Sequence, residues 1–211
     1  MTNFGKGMMI VLSSPSGAGK TTLTRMLSEK NDNFIISISH TTRTPRHNEV
    51  NGKDYFFVDK KEFQKLIKNN CFIEHATVFN NLYGTMKKPV IKNLSKGKNV
   101  LFDIDWQGVE QIKKKKLDFK LITLFILPPS SKELKERLHN REKRDDVMID
   151  ERMSQFKNDI LHWKDYDYVV INNELSDCYN QIQKIILSES KGLKCNYDEK
   201  KIEEKVIELI S

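Results

Sequence analysis

The sequence predicts an α/β fold in which helices flank a parallel sheet. Three observations lead to this prediction. Short apolar runs typical of buried strands alternate along the chain with longer segments of helical pattern. The first of these runs, Met8–Ser13, is followed at once by a glycine-rich loop and a helical pattern. With 211 residues, the chain is also long enough to bury one substantial core without disulfides or metal ions.

The remaining elements follow in order from the same patterns. Apolar runs bounded by turn residues predict strands at Phe34–Ile38, Tyr55–Val58, Phe72–Val78, Asn99–Ile104, Leu121–Leu127 and Tyr168–Ile171. Helical patterns predict a first helix through Leu23 and Leu27 and others at Lys60–Asn69, Lys88–Lys96, Ser131–Arg141, Ile149–His162 and Leu175–Glu189. Residues 40–54 are polar and contain Pro45 and Gly52, so this stretch is predicted to be mostly loop.

Two expectations concern helix ends. Ser131 is the expected N-cap of its helix, because a serine hydroxyl can accept a hydrogen bond from the first turn. In the charged tail 191–211, apolar residues recur at helical spacing and predict a terminal helix packed on the body: Ile202, Val206 and Leu209.

The charge of the chain excludes little. Its 36 Lys+Arg and 29 Asp+Glu give a net charge of +7, and a basic excess is typical of nucleic-acid binders. Acidic residues are interleaved almost everywhere and the one basic run is Lys113–Lys116, so we expect solvated surface and no nucleic-acid partner. We expect no membrane segment or signal peptide, and three scattered cysteines favour the cytoplasm. The oligomeric state is not predicted.

The loop after the first strand carries the sharpest signal. Residues 14–21 spell S-P-S-G-A-G-K-T, close to the phosphate-binding pattern G-x-x-x-x-G-K-[ST] with Ser14 as its first residue. Small side chains let backbone N–H groups approach a phosphate, and the N-terminus of the next helix favours the anion. Lys20 would supply positive charge to the β- and γ-phosphates. The predicted nucleoside triphosphate site comprises Ser14, Pro15, Ser16, Gly17, Ala18, Gly19, Lys20, Thr21 and Thr22.

A magnesium contact is predicted beside this loop. The Thr21 hydroxyl can reach Mg²⁺, and Asp103, at the end of a predicted strand, can reach it through water. The alternative for Asp103 is a helix N-cap. Asp103 and Asp105 lie on the same side of an extended chain, which favours a site.

A second phosphate site is predicted between residues 39 and 55. A nucleoside triphosphate site by itself is compatible with a hydrolase, a molecular switch or a kinase. Arg43 and Arg46 around Pro45, with Tyr55 beyond, make a bidentate pocket for another phosphate. Glu74 can accept from both N1–H and the 2-amino group of guanine, a test that adenine fails, and Thr85 can donate to guanine O6. A surface arginine pair and an N-cap threonine are the alternatives.

Taken together, these stretches resemble the guanylate kinase family from about Gly7 to Ser188. The shared motifs are S-x-S-G-A-G-K-[ST], S-x-x-T-R-x-x-R, G-x-D-Y-x-F, F-[IL]-E, Y-G-T, D-[IV]-D-x-Q-G and V-I-x-N. The resemblance implies a P-loop NTPase-type parallel sheet with a small GMP-binding part and a helical lid, in a single domain. It places the core at about 5–36, 92–128 and 161–190, the GMP-binding part at 37–91, the lid at 129–160 and a tail at 191–211.

The resemblance also implies the reaction and its residues. The chain would transfer the γ-phosphoryl group of ATP to GMP, and to dGMP, with Mg²⁺, in purine nucleotide metabolism and GMP recycling. GMP would be held, mainly through its phosphate, by Ser39, Arg43, Arg46, Tyr55 and Tyr83. Guanine would be recognised by Glu74, Thr85 and Asp105, and Asn172 would lie near the adenine of ATP. The catalytic cations would be Lys20, Arg43, Arg137, Arg141 and Arg152.

The chain departs from the family pattern at His47-Asn48, at Asn140-Arg141-Glu142 and at Lys143-Arg144-Asp145. These changes concern the behaviour of the lid more than any predicted contact. Two other classes of function compete with the kinase: a non-catalytic peptide-binding module related to the family, and a kinase for another small nucleotide.

Overall fold

The structure is a computed structural model that describes residues 5–141 and 145–211, without the side chain of Arg141. Its strands, β1 to β9 in chain order, are Met9–Ser13, Phe34–Ile36, His40–Thr41, Phe56–Phe57, Phe72–Val78, Asn81–Met86, Asn99–Asp103, Leu121–Leu127 and Tyr168–Ile171. Its helices, α1 to α8, are Lys20–Glu29, Lys60–Lys68, Lys87–Ser95, Trp106–Lys115, Ser131–Arg141, Asp146–Ile160, Leu175–Ser190 and Glu199–Ile210. A 3-10 helix, Leu161–Asp165, follows α6.

The predicted α/β architecture is confirmed. Five strands form one sheet in the order β2-β7-β1-β8-β9. Strand β2 runs parallel to β7, with Phe34 opposite Asn99, and β8 runs parallel to β9, with Leu124 opposite Tyr168. Every residue of β1 is buried, as its continuous apolar run requires for a strand covered on both faces.

A second sheet was not predicted. Its strands lie in the order β4-β3-β6-β5, and β6 pairs antiparallel with both β3 and β5. Strand β6 escaped prediction because the turn that joins it to β5 lacks the usual glycine. Phe79 and Asn80 occupy that turn with positive φ angles of 47° and 59°, the backbone shape that a tight hairpin needs.

Two helix starts also differ from the sequence-based prediction. Helix α4 was missed, and Asp105 is its N-cap, accepting from the Gly108 N–H at 3.1 Å. The N-cap prediction for Ser131 was wrong, because α5 already begins there and the Ser130 hydroxyl accepts from the Glu133 N–H at 3.1 Å. The Ser131 hydroxyl instead donates to the carbonyl oxygen of Leu209 at 2.6 Å.

The chain forms two compact units. The first comprises the described residues up to Ile10 together with Asp32–Leu121, and it holds the whole second sheet and helices α2 to α4. Phe63 and Phe72 stack in its core with ring centroids 4.7 Å apart.

The second unit comprises Val11–Asn31 and Ile122–Ser211, with α1 and α5 to α8. Its tail confirms the predicted terminal helix, since α8 buries Ile202, Val206 and Leu209. Among the described residues, every helix is too short or too polar to cross a membrane.

Candidate active site

The loop between β1 and α1 has the backbone shape that phosphate binding requires. Gly17 and Gly19 have φ angles of 92° and 99°, a region that residues with a Cβ rarely adopt. Helix α1 begins at Lys20, so the N–H groups of its first turn, which lack partners within the helix, lie directly after the loop. Thr21 and Thr22, in this turn, are exposed, whereas Pro15 and Ala18, in the loop, are buried.

Side chains from distant parts of the second unit hold the loop in place. Asn172, which follows β9, is 3% exposed and donates from Nδ2 to the Ala18 carbonyl oxygen at 2.8 Å. A Cβ added to Gly19 would lie 2.4 Å from that same Nδ2 atom, so only glycine lets the amide approach. A Cβ on Gly17 would lie 3.1 Å from Leu134 of α5. The loop therefore depends on β9 and α5 as well as on its own glycines.

The three predicted lid arginines have different surroundings. Arg152 of α6 is 7% exposed, and its Nη1 donates to the Ser16 hydroxyl at 2.7 Å. Ser16 belongs to the glycine-rich loop between β1 and α1, which we call the phosphate loop. Arg137 of α5 pairs through Nη2 with Glu133 one turn earlier on the same helix. The side chain of Arg141 and residues 142–144 lie outside the described residues, so the altered lid sequence there receives no structural account.

In the first unit, the predicted acceptor-phosphate residues come together after β3. The Nε of Arg43 donates to the Tyr83 hydroxyl at 3.2 Å, and its guanidinium carbon lies 5.4 Å from the centre of the Tyr55 ring. The rings of Tyr55 and Tyr83 meet edge to face, with centroids 5.9 Å apart. Arg43 is thus held between two tyrosines that β4 and β6 position.

Glu49, which the sequence analysis missed, joins the two arginines. Both of its oxygens accept from Arg43 Nη2, at 2.6 and 2.8 Å. It also accepts from the backbone N–H of Arg46 at 2.7 Å and from Arg46 Nη1 at 3.4 Å. One signal was available, since Glu49 is the single acid between residues 39 and 53 and follows Arg46 by three residues.

The charge states in this pocket follow from burial and pairing. Burial by itself favours neutral Arg43, but hydrogen bonding to Glu49 and the nearby negative groups outweigh it and raise the pKa of Arg43. Burial likewise opposes the charge of Glu49, yet hydrogen bonds from Arg43 and Arg46 hold the pKa of this carboxyl below its usual range. Burial, followed by the charge of Asp103, raises the pKa of Tyr55, so its phenol keeps its proton.

The predicted guanine-binding residues also meet. Glu74 of β5 lies directly opposite Thr85 of β6, and they are 3% and 1% exposed. The Thr85 hydroxyl is 3.2 Å from the hydroxyl of Ser39, which precedes β3. Strand pairing therefore gathers a buried carboxylate and two hydroxyls that are far apart in the chain.

Asp103 and Asp105 lie beside the first turn of α4. Asp103 is the last residue of β7 and is half-buried. The N-cap role considered for Asp103 belongs to Asp105, whose second oxygen also accepts from Gln107 Nε2 at 2.9 Å. Gly108 lies against Glu74, because a Cβ there would be 2.7 Å from Glu74 Oε2.

A glycine-rich loop that leads from a buried strand into a helix N-terminus, beside a parallel sheet, defines a nucleotide-binding enzyme of the P-loop class. The family model described as "Guanylate kinase" matches residues 6–189. The chain is 47% identical over 184 residues to the guanylate kinase of Nitrobacter winogradskyi, covering 87% of this chain and 84% of that protein. It is 48% identical over 196 residues to that of Blochmanniella floridana, covering 92% and 91%.

A solved structure agrees with these relatives. The crystal structure of guanylate kinase from Anaplasma phagocytophilum is 36% identical, has a TM-score of 0.71, and is matched over 87% of this chain and 86% of that one. The chain belongs to the guanylate kinase family. It is an ATP:GMP phosphotransferase, a nucleoside monophosphate kinase.

Proposed function

We propose that the chain carries out this reaction with the groups gathered in its two units, and that the buried pair Glu74 and Thr85 selects guanine. The observation that carries the proposal is the direct pairing of these residues across β5 and β6, in the same unit as the Arg43 pocket. Both residues are buried, so a base that reaches them is shielded from water and must match the acceptors of Glu74 and the hydroxyl of Thr85.

For the donor nucleotide, we propose that the loop from Ser14 to Thr22 binds the phosphates of ATP. The left-handed glycines and the start of α1 supply backbone N–H groups, and Lys20 supplies charge to the β- and γ-phosphates. Asn172 would lie near the adenine. Its Nδ2 is engaged by Ala18, whereas its buried Oδ1 has no partner among the described residues and could accept from a nucleotide amino group.

Magnesium fits the same proposal. No cluster of three acidic, histidine or cysteine side chains that could hold a metal ion occurs among the described residues. The hydroxyl of the exposed Thr21 and the carboxylate of the half-buried Asp103 are each oxygen ligands of the kind that Mg²⁺ accepts beside its waters and nucleotide phosphates. Bound with ATP, Mg²⁺ would neutralise charge on the phosphates. Thr21 would contact it directly and Asp103 through water.

For the acceptor, we propose that Arg43 and Arg46 hold the GMP phosphate with the hydroxyls of Ser39, Tyr55 and Tyr83. The two arginines and Glu49 carry a net positive charge in a half-buried pocket, which favours a phosphate dianion. The raised pKa of Tyr55 keeps its hydroxyl protonated, so it can donate to a phosphate oxygen. The acceptor is already an anion, so transfer needs alignment and charge neutralisation rather than a general base.

For the base, Glu74 would accept from guanine N1–H and the 2-amino group, and Thr85 would donate to O6. Asp105 would act beside them. Its Oδ1 is engaged by the first turn of α4 and its Oδ2 by Gln107, so we propose that it works from this fixed position at the edge of the base.

Substituting Gly108 by alanine should lower kcat/KM for GMP without changing the kinetics with ATP. The new Cβ would lie 2.7 Å from Glu74 Oε2, and a buried carboxylate has little room to retreat. Because a displacement of about 1 Å can cost about 100-fold, we expect kcat/KM for GMP to fall by about 10- to 100-fold. Steady-state kinetics with each substrate varied in turn measures this.

Gly5→Ala provides the matched control, because nothing lies within 4 Å of a Cβ at that position and the kinetics should stay as in the wild type. Full activity with GMP in Gly108→Ala would show that the guanine site does not need the Glu74 carboxylate where it now lies.

For the lid, we propose that Arg137, Arg141 and Arg152 stabilise charge on the transferring phosphoryl group. The division into a core at 5–36, 92–128 and 161–190, a GMP-binding part at 37–91, a lid at 129–160 and a tail at 191–211 is part of this proposal. Its support is that strands β3 to β6 lie within 37–91, and that helices α5 and α6 lie within 129–160.

We also propose dGMP as an acceptor and the cytoplasm as the site of action, in purine metabolism and GMP recycling. The proposed contacts reach only phosphate and base, so a missing 2′-hydroxyl costs none of them. The three thiols are free, as a reducing compartment allows: Cys71, Cys178 and Cys195.

An acceptor panel tests this function. With ATP as donor, GMP and dGMP should both give ADP release, whereas kcat/KM for AMP and UMP should be lower by about 1,000-fold or more, because they leave buried polar groups unpaired. AMP turnover within tenfold of GMP would contradict the guanine assignment.

A further inference from the structure

We infer that Glu49 is a positioning residue for the acceptor phosphate: it holds the guanidinium of Arg43 and the loop at Arg46 in the arrangement that binds GMP. The inference rests on the proposed role of these two arginines. None of the family motifs in the sequence includes this carboxylate, which lies in the stretch predicted to be loop.

The first support is the geometry around Arg43. All three of its guanidinium nitrogens donate to the chain itself: Nε to the Tyr83 hydroxyl at 3.2 Å, Nη1 to the Thr44 carbonyl oxygen at 2.7 Å and Nη2 to Glu49. A long flexible side chain is thus fixed before any ligand binds, so less conformational entropy remains to be lost. A guanidinium has five N–H groups, so these bonds do not exhaust its donors.

The second support is that Glu49 also shapes the backbone of the loop. Its own N–H donates to the Arg46 carbonyl oxygen at 3.0 Å while its side chain accepts from the Arg46 N–H at 2.7 Å. Together with the bonds to Arg43 Nη2, these contacts close residues 43–49 into a compact turn. One side chain therefore sets both the direction of Arg43 and the backbone position of Arg46.

The third support is electrostatic. Arg43 and Arg46 carry like charges within one small pocket, and Glu49 lies between them with its side chain 15% exposed. The pairing keeps Arg43 charged and holds the pKa of Glu49 below its usual range, so the carboxylate stays ionised at neutral pH. Two guanidiniums and one carboxylate still leave net positive charge for a phosphate.

The test replaces Glu49 by glutamine, which keeps its shape but turns one acceptor into an N–H₂ donor facing Arg43. We expect the KM for GMP to rise by about 10- to 100-fold, the range for losing a hydrogen bond to a charged group. The KM for ATP should stay within about twofold, because the hydrogen bonds of Glu49 go to Arg43 and Arg46, the proposed acceptor residues. Glu49→Asp should recover part of the loss, and Glu110→Gln, on the exposed face of α4, is the matched control.

A double-mutant cycle with Arg43→Met shows whether Glu49 acts through the arginine. If it does, adding Glu49→Gln to Arg43→Met should lower kcat/KM for GMP by clearly less than it does in the wild type, and what loss remains reports the contact of Glu49 with Arg46. Independent, multiplying effects would overturn the inference. So would a lower KM for GMP in Glu49→Gln, which would mean that the carboxylate competes with the phosphate, and so would an unchanged KM.

The same experiment separates this inference from the proposed function. If Arg43→Met by itself leaves GMP kinetics unchanged, the acceptor-phosphate assignment fails. If Arg43→Met raises the KM for GMP and Glu49→Gln does not, only the role of Glu49 fails. Retention of the wild-type KM for ATP in each variant shows that the loss with GMP does not come from unfolding.

Discussion

Lys20→Ala is expected to abolish phosphoryl transfer while leaving the fold intact. Lys20 is the first residue of α1, directly after the left-handed Gly19, so we expect its ammonium group to be the cation that reaches the β- and γ-phosphates. Removing a preorganised positive charge from a developing phosphoryl transition state costs about 1,000-fold or more in kcat. Coupled ADP release with saturating ATP and GMP measures the loss.

Lys60→Ala supplies the control for this change. Lys60 is also the first residue of a helix, α2, and is exposed, so the same substitution at the same helical position should leave kcat within about twofold. Near-normal kcat in Lys20→Ala would refute the assignment of the loop as the ATP site. An unchanged melting temperature in both variants would separate the chemical effect from a folding effect.

Glu74→Gln is expected to cost about 2–4 kcal/mol in kcat/KM for GMP. The change preserves volume but presents an N–H₂ group to the donors of guanine, which leaves two buried donors facing each other. The residue is 3% exposed, so water cannot easily compensate. The ratio of kcat/KM for GMP between wild type and variant gives the free energy directly.

The matched control for this variant is Glu110→Gln, an identical change on an exposed residue of α4 that should leave GMP kinetics unaltered. The KM for ATP serves as the internal reference in both proteins. Wild-type kinetics with GMP in Glu74→Gln would remove this carboxylate from the guanine site and leave Thr85 and Asp105 as its remaining candidates.

Much of the core was predictable because its signals are local. Leu121–Leu127 and Tyr168–Ile171 are strands with the bounds that the apolar runs predicted. The second sheet was harder. The predicted strands at Tyr55–Val58 and Phe72–Val78 contain β4 and β5, but β3 has two residues, too few for a period, and β6 follows a turn without glycine. Their pairing depends on partners more than forty residues away, such as Gly84 opposite His40.

The site shows the same division between local and distant signals. Short motifs indicate the chemistry of four residues, which were therefore identified as candidates: Arg43, Arg46, Glu74 and Thr85. Glu49 was not, because its role arises only when the loop folds back and brings its oxygens within 2.8 Å of Arg43. Ser131 was assigned the wrong role, because nothing near it in sequence indicates that its partner is the Leu209 carbonyl oxygen.

The sequence by itself determined the glycine-rich loop, most of the core strands and helices, and the family, since glycine placement, apolar periodicity and motif spacing act over a few residues. The tertiary structure decided what holds these groups in position: Asn172 beneath Ala18, Arg152 on Ser16, Gly108 against Glu74 and Glu49 between two arginines. The physical reason is range. Backbone conformation responds to neighbouring residues, whereas a hydrogen bond to a buried group requires a partner that only the packed chain brings within about 3 Å.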